Sequence, residues 1–155
     1  MRIVLAILVA LYFVHPAFAD NNTLTGTWKL KRWVMEDVDT KEQKPSPFGE
    51  RPAGYVLFSS SNRIFVLITA EDRKAAEGAD GQSAAFRSMY AYSGKYHLEN
   101  DRFITKVDIA GDQKWLGTEQ QRTYRVNGDT LIIESAPATQ AGKTVRGILE
   151  WQREP

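Results

Sequence analysis

Short runs of apolar and polar residues alternate along most of the chain. In the segment "YSGKYHL", residues 92–98, every second residue is aromatic, small or aliphatic, and the residues between them are polar. Such alternation predicts half-buried β-strands, because successive side chains of a strand point to opposite faces. Eight runs of this kind are found: Gly26–Glu36, Gly54–Ser59, Arg63–Thr69, Tyr92–Leu98, Arg102–Ala110, Gly117–Val126, Thr130–Ser135 and Lys143–Arg153.

Most connections between the runs are short and contain turn residues. They include "SSSN" before Arg63, "END" before Arg102 and "NGD" before Thr130. Asn127-Gly128 predicts a type I′ hairpin turn, which needs positive φ at both central residues. The longer connection "DVDTKEQKPSPFGERP", residues 37–52, holds three prolines and many charges and predicts an extended surface loop.

A second long connection, residues 70–91, is rich in alanine. Phe86, Met89 and Tyr90 recur at helical spacing in its latter half, which predicts one or two short helices broken near "GADGQ". We expect their apolar stripe to pack on the sheet, although a helix placed here can also cap one end of a barrel.

The order of these elements favours an all-β fold. Eight antiparallel strands joined in sequence, with short helices between the third and fourth, predict an eight-stranded up-and-down barrel, which removes exposed strand edges by closing on itself. A β-sandwich is the structural alternative.

Strand alternation divides the residues into an inward and an outward face. On the first strand it places Glu36 inward, and Trp33 and Met35 outward. On the fifth it groups Ile109 with the inward face, and it leaves Ile104 outward. The predicted interior consists of Trp28, Tyr92, Tyr96, Phe103, Tyr124 and Trp151, together with Gln120 and Arg122. An eight-stranded barrel can fill such an interior with side chains or hold one small ligand there.

Arg122 is the unusual member of this interior, because a buried guanidinium requires a partner. One interpretation is structural: Arg122 closes a barrel end by pairing with Glu36 or a strand-end carbonyl, or by stacking on Trp28 or Trp151. The other is functional: Arg122 or Gln120 meets a polar group of a ligand.

The N-terminus predicts export. Arg2 precedes an apolar run over Ile3–Val14, and "AFA" at Ala17–Ala19 resembles a cleavage site. We therefore expect residues 1–19 to be a cleaved signal peptide and residues 20–155 to form one domain, located in the periplasm or secreted. Twelve apolar residues are too few for a spanning helix, which needs about 20, so no membrane anchor is expected.

Composition narrows the partners and the chemistry. Without Arg2 the 20 basic residues become 19, equal to the 19 acidic ones, which argues against nucleic acid as a partner. The chain has no cysteine, and His97 is the one histidine outside the predicted signal peptide. Disulfides, thiol nucleophiles and multi-histidine metal sites are thereby excluded, and we expect no cofactor.

Several motifs together identify a family resemblance. They are "GTWKL" at Gly26–Leu30, "PFGERPAGYVLF" at Pro47–Phe58, "AAFRSMYAYSGKY" at Ala84–Tyr96, "WLGTEQQR" at Trp115–Arg122, and "VNGDTLII" before a terminal "LEWQR". In their order and spacing the chain resembles the bacterial lipocalin-like domain family. The resemblance implies a calycin-type barrel with Trp28 near one end, and it adds Tyr55 to the candidate ligand-binding residues. Relatives often carry histidine at Thr105 or Lys106, which this chain lacks.

Three functions fit these observations. The first is the binding of a small hydrophobic or amphipathic molecule in an interior that is mostly apolar with a few polar groups. The second is an isomerase- or cyclase-like enzyme with Glu119, His97, Tyr92 or Tyr96 as acid–base groups. The third is a filled structural barrel, whose outward Trp33, Met35 and Ile104 would form a partner surface unless the loop or the helix covers them. A monomer and a homodimer are both compatible with the sequence.

Overall fold

The structure is a computed structural model that describes residues 23–155. The predicted signal peptide, with cleavage before Asp20, lies outside the described residues. Within residues 23–155 the chain forms ten β-strands, an α-helix and a short 3-10 helix at Gln113–Trp115. The strands are β1 Gly26–Asp37, β2 Gln43–Pro45, β3 Ala53–Phe58, β4 Arg63–Thr69, β5 Met89–Glu99, β6 Arg102–Ala110, β7 Glu119–Asn127, β8 Thr130–Ser135, β9 Ala138–Gln140 and β10 Lys143–Arg153; the helix α1 is Gly78–Arg87.

The strands form a closed antiparallel barrel, which confirms the predicted fold class. The hydrogen-bonded order is β2-β1-β3-β4-β5-β6-β7-β8-β10-β9, and an additional β1–β10 pairing closes the sheet. Eight strands make the barrel wall, while β2 and β9 are three-residue strands that extend it at one end. Their pairing with the second half of β1 and the first half of β10 places both at the same end of the barrel.

Trp28 closes the opposite end. Its indole Nε1–H donates to the Leu24 carbonyl at 2.9 Å, and both residues are fully buried. On the paired strands, Trp28 lies opposite Arg153, Trp151 lies opposite Leu131, and Leu131 in turn lies opposite Val126. Leu24, Trp28, Leu131 and Trp151 are all fully buried, so this end of the barrel is closed.

A different set of residues forms the other end. Arg122 pairs with Ser135, Ser135 accepts a hydrogen bond from Gly147 N–H, and Gly147 pairs with Met35. The barrel thus has one closed end at Trp28 and a second end at the level of Arg122.

The two long connections differ from the sequence-based prediction. The proline-rich segment is not loop throughout, because β2 pairs with Val34–Glu36 of β1. The segment "GADGQ" does not break a helix but begins α1, and Met89 and Tyr90 open β5 instead of extending the helix. The expected packing of the helix on the sheet is also wrong: α1 has no buried residue, and Phe86 is 48% exposed.

The predicted type I′ turn is a different turn. Asn127 pairs with Thr130, so the two central residues are Gly128 and Asp129. Only Gly128 has a positive φ, +57°, which is the pattern of a type II′ turn with glycine first.

A β-bulge in β1 reverses the predicted faces of its second half. Leu30 pairs with Trp151 and Arg32 with Glu150, so Lys31 is an extra residue on β1. Side-chain direction shifts by one position after such an insertion. Trp33 and Met35 consequently point into the barrel and Glu36 points out, the reverse of the prediction.

A second bulge acts on β6. Val107 pairs with Gly94 and Ile109 with Ser93, which leaves Asp108 as the extra residue. Ile109 is 66% exposed although Val107 is only 1% exposed, so the predicted inward position of Ile109 is wrong. Ile104, predicted to be outward, is buried but lies outside the main core cluster.

Two further findings concern residues 23–155 alone. No helix in this range is both long enough and apolar enough to span a bilayer. The same range holds no cluster of three or more histidine, aspartate or glutamate side chains able to bind a metal ion.

Candidate functional site

The barrel interior contains a cavity of about 250 Å³ toward the end where β2 and β9 lie. Seven of the eight wall strands contribute aromatic or aliphatic side chains to it, and β7 contributes Arg122. A single arginine and a few uncharged polar groups complete the lining. The main lining residues are Trp33, Met35, Val66, Ile68, Tyr90, Tyr92, Phe103, Trp115, Arg122, Ile133, Ser135, Leu149 and Trp151.

Five aromatic residues, which we call the aromatic cluster, lie at this end: Trp33, Phe48, Tyr90, Tyr92 and Trp115. Tyr90 is central, with its ring edge-on to Trp115 at 4.9 Å and to Tyr92 at 5.5 Å between ring centroids. Trp33 packs on Phe48 at 5.0 Å and on Tyr90 at 6.4 Å. Aromatic pairs in these arrangements are mutually attractive, so the cluster forms an ordered apolar wall.

Loop contacts hold Phe48 in the aromatic cluster. The Glu71 carboxylate accepts the backbone N–H groups of Glu50 and Arg51, and the Phe48 carbonyl accepts the N–H of Glu71. These bonds lower the pKa of Glu71, the N–H of Glu50 being the largest cause. The β2–β3 loop is thereby fastened to the segment that follows β4.

Arg122 enters the cavity from β7 without a carboxylate partner. Its Nη1 donates to the Gln121 carbonyl at 2.7 Å, and its Nη2 donates to Gln120 Oε1 at 3.3 Å and to the Tyr90 hydroxyl at 3.4 Å. Within residues 23–155 no ion pair includes Arg122. Its guanidinium therefore contacts neutral acceptors only.

None of the charged or aromatic partners predicted for Arg122 is used. Glu36 lies on the outer face and accepts from Arg146 at 2.7 Å. The cation–π contact of the described residues joins Trp28 to Arg153 instead, at 3.9 Å from the ring centroid. A backbone carbonyl does accept from Arg122, as one predicted alternative required, but it belongs to the adjacent Gln121.

Two indole donors in the cavity lining have no acceptor. Nε1 of Trp33 and Nε1 of Trp151 are both buried and neither has a hydrogen-bond partner among the described residues. Buried indole N–H groups normally find one, because an unsatisfied buried donor is destabilising. Both side chains line the cavity, and each Nε1 is itself enclosed by protein atoms.

The two cavity tyrosines, Tyr90 and Tyr92, keep their hydroxyl groups protonated and uncharged. Burial raises the pKa of Tyr90, with Tyr92 adding to the shift, and burial also raises the pKa of Tyr92. The nearby Arg122 charge opposes both shifts but does not overcome them. At physiological pH each hydroxyl can donate or accept a hydrogen bond without carrying charge.

The nine residues predicted to bind ligand occupy three places. Tyr92, Phe103, Arg122 and Trp151 line the cavity, and Gln120 holds Arg122 at its edge. Trp28, Tyr96 and Tyr124 belong to the packed interior, where Tyr96 and Tyr124 both contact Phe103. Tyr55 lies on the outer face, paired with Leu67, and is 44% exposed, so it does not reach the cavity.

Sequence reasoning missed several lining residues, chiefly Trp33, Met35, Tyr90 and Trp115. The adjacent cations Lys31 and Arg32 interrupt the alternation of β1 and were the available signal for its bulge. For Tyr90, the period-two pattern of β5 extends backwards through the residues assigned to a helix.

Two of the four candidate acid–base groups, His97 and Glu119, lie outside the cavity. His97 Nε2 lies 3.3 Å from Glu99 Oε1 in an exposed pair. Glu119 is exposed on β7, on the strand face opposite to that of Arg122. Of the other two candidates, Tyr92 lines the cavity and Tyr96 belongs to the buried core.

A closed eight-stranded barrel with an apolar interior cavity and one sealed end defines a lipocalin-like protein. Comparison with known families agrees, since the lipocalin-like domain matches residues 25–154. The chain belongs to this family. It is also similar to the 4'-hydroxy-3'-methoxypropiophenone carrier protein ppsC of Aspergillus oryzae, with 30% identity over 95 residues that cover 55% of this chain and 86% of that protein.

Proposed function

We propose that this protein binds and carries a small, largely apolar molecule in the barrel cavity. The observation that supports this most directly is the cavity itself. It is lined by four members of the aromatic cluster, all except Phe48, and by aliphatic residues such as Ile68 and Leu149, and its volume of about 250 Å³ suits a ligand of modest size. A barrel filled by its own side chains would leave no such space.

The similarity to a protein named as a carrier of an aromatic ketone gives independent support. A compound of one substituted ring suits a cavity of this volume, because about 150 Å³ of apolar cavity is enough for benzene. The cavity also offers flat aromatic walls against which a ring can stack.

Ligand binding is tested with a variant whose larger side chain occupies the cavity. Leu149→Trp adds bulk to the lining and is expected to abolish uptake of an apolar fluorescent probe, measured by titration. Leu67→Trp is the matched control, because Leu67 is 48% exposed on the outer face. If Leu149→Trp folds and still takes up the probe at the wild-type affinity, the cavity is not the binding site.

We further propose that the protein works after export, in the periplasm or outside the cell. The support is the N-terminal sequence, in which Arg2, the apolar run Ile3–Val14 and "AFA" occur in the order of a secretory signal. Sequencing the N-terminus of protein recovered from cell fractions tests this. A chain beginning at Asp20 in the exported fraction is the expected result, and an uncleaved chain in the cytoplasm would contradict it.

A further inference from the structure

Two hydrogen-bond donors of the cavity lining have no acceptor among the described residues. Trp33 and Trp151 each bury an Nε1–H that has no acceptor in residues 23–155. The Ser135 hydroxyl is already engaged, since it donates to the Ala136 carbonyl at 3.2 Å and accepts from Gly147 N–H at 2.8 Å. The buried polar atoms of the lining that lack a partner are therefore both donors.

The charge of the cavity lining favours a ligand with a negatively charged group. Arg122 is the one charged side chain of the lining, which contains no aspartate or glutamate. Two other arginines of the barrel wall have carboxylate partners: Arg63 binds both carboxylate oxygens of Asp108 at 2.7 and 2.8 Å, and Arg146 bridges Glu36 and Glu134. Only neutral oxygens approach Arg122, two of them at 3.3 Å or more, and its Nε–H has no acceptor among the described residues.

The cavity tyrosines do not supply a negative charge to Arg122. A tyrosinate at Tyr90 or Tyr92 would compensate the guanidinium, but burial keeps both hydroxyls protonated by raising their pKa values. The positive charge at the cavity edge is consequently balanced by no group of the lining.

We propose that the cavity binds a small single-ring aromatic carboxylate, with its carboxylate on the Arg122 guanidinium and its ring among the aromatic side chains. The planar guanidinium fork matches the two oxygens of a carboxylate, and the bond gains strength in an apolar surrounding. The volume of about 250 Å³ accommodates one ring with a short side chain. This inference rests on the proposed binding function and specifies the polar end of its ligand.

The test compares an acid with its neutral isostere. Isothermal titration calorimetry measures the affinity of the wild-type protein for 3-phenylpropionate, for 3-phenylpropionamide and for propylbenzene. We expect the acid to bind roughly 10- to 100-fold more tightly than the amide, as charge-assisted hydrogen bonds to a partly buried site contribute at this level.

Arg122→Met is expected to remove that preference, so that the ratio of acid affinity to amide affinity falls to near one. Arg125→Met is the matched control, since Arg125 lies on the same strand, points outward and pairs with Glu134. If Arg122→Met does not fold, Arg122→Lys and the acid-to-amide ratio of the wild-type protein decide the question.

Each outcome has a definite meaning. Equal affinity for acid and amide, unchanged by Arg122→Met, would overturn the carboxylate assignment and leave the proposed apolar binding intact. Binding of propylbenzene alone would have the same meaning. If no compound binds, propylbenzene included, the proposed function fails together with this inference.

Discussion

The guanidinium carbon of Arg153 lies 3.9 Å from the centroid of the Trp28 ring. This contact joins the first strand of the barrel to the last at its sealed end. Arg153 also donates to the carbonyls of Thr25 at 2.8 Å and Thr23 at 2.7 Å, so it ties the segment that precedes β1 across the barrel floor. One side chain thereby combines stacking on a buried indole with two backbone contacts.

Arg153→Met should therefore destabilise the fold without changing the cavity. We expect a loss of about 1 to 3 kcal/mol in the free energy of unfolding, because a cation–π contact and two charge-assisted hydrogen bonds disappear. Urea denaturation measures the loss. Arg102→Met is the control, as Arg102 makes only a long, exposed contact to Glu99 at 3.6 Å. Equal stability of the two variants would contradict the assigned role.

Because of the bulge in β6, Val107 and Ile109 face opposite sides of the barrel wall, although both would share one face of a regular strand. We therefore expect them to differ in their contribution to the free energy of unfolding. Val107→Ala should cost about 2 kcal/mol of unfolding free energy, because Val107 is fully enclosed. Ile109→Ala should change it by less than about 0.5 kcal/mol, since Ile109 is 66% exposed. Thermal or urea unfolding of both variants distinguishes them, and a larger effect at Ile109 would mean that the bulge is misplaced.

Gly94 is required by the close approach of β5 and β6. A Cβ at this position would collide with the Lys106 carbonyl and approach the Thr105 side chain. Gly94→Ala is expected to lower the unfolding free energy by about 2 kcal/mol or more. Gly111→Ala serves as the comparison, because its nearest atoms would be 3.7 Å away at ordinary contact distance. Similar stabilities for the two variants would show that the strands can separate at no cost.

The outer carboxylate Glu36 predicts a pH-dependent contribution to stability. The hydrogen bond from Gln43 at 3.0 Å lowers its pKa, and Arg146 lowers it further. A carboxylate whose pKa is lowered in the folded state stabilises the fold above its unfolded pKa, near 4.5, and loses that contribution as the pH falls through the folded value.

Gln43→Ala should therefore be less stable than the wild-type protein at pH 6, and the difference should shrink below about pH 4.5. Urea unfolding at a series of pH values measures this. Lys44→Ala, which removes an exposed partner of Glu42, should show a small difference across the series. A Gln43→Ala difference that stays constant from pH 6 to pH 3 would rule out the linkage to Glu36.

Much of the fold could be predicted because strand alternation and turn residues are local properties. Four predicted strands have the bounds found in the structure: Arg63–Thr69, Arg102–Ala110, Thr130–Ser135 and Lys143–Arg153. In β7 the alternation correctly gave Arg122 and Tyr124 the same inward face, because no bulge interrupts that strand. The helical assignment of Tyr90 failed because aromatic residues at helical spacing also fit the period of a strand over so short a segment.

The composition of the cavity could be predicted only in part. Trp151 and Phe103 were placed correctly by parity, whereas Trp33 was assigned to the outside because one extra residue in β1 reverses every later side chain. Tyr55 was added by family resemblance alone, and the pairing of β3 with β4 turns it outward.

By itself, the sequence determined that the chain is an antiparallel barrel and that Arg122 belongs to its interior, because alternation and hairpin chemistry act between neighbouring residues. Only the tertiary structure decided the phase of each strand after its bulges, and with it the position of Trp33 and Met35 in the cavity. It also decided that Glu36 is paired with Arg146 outside the barrel, which leaves Arg122 without a carboxylate. Pairing of this kind depends on strand register across the whole sheet, a property that no local pattern encodes.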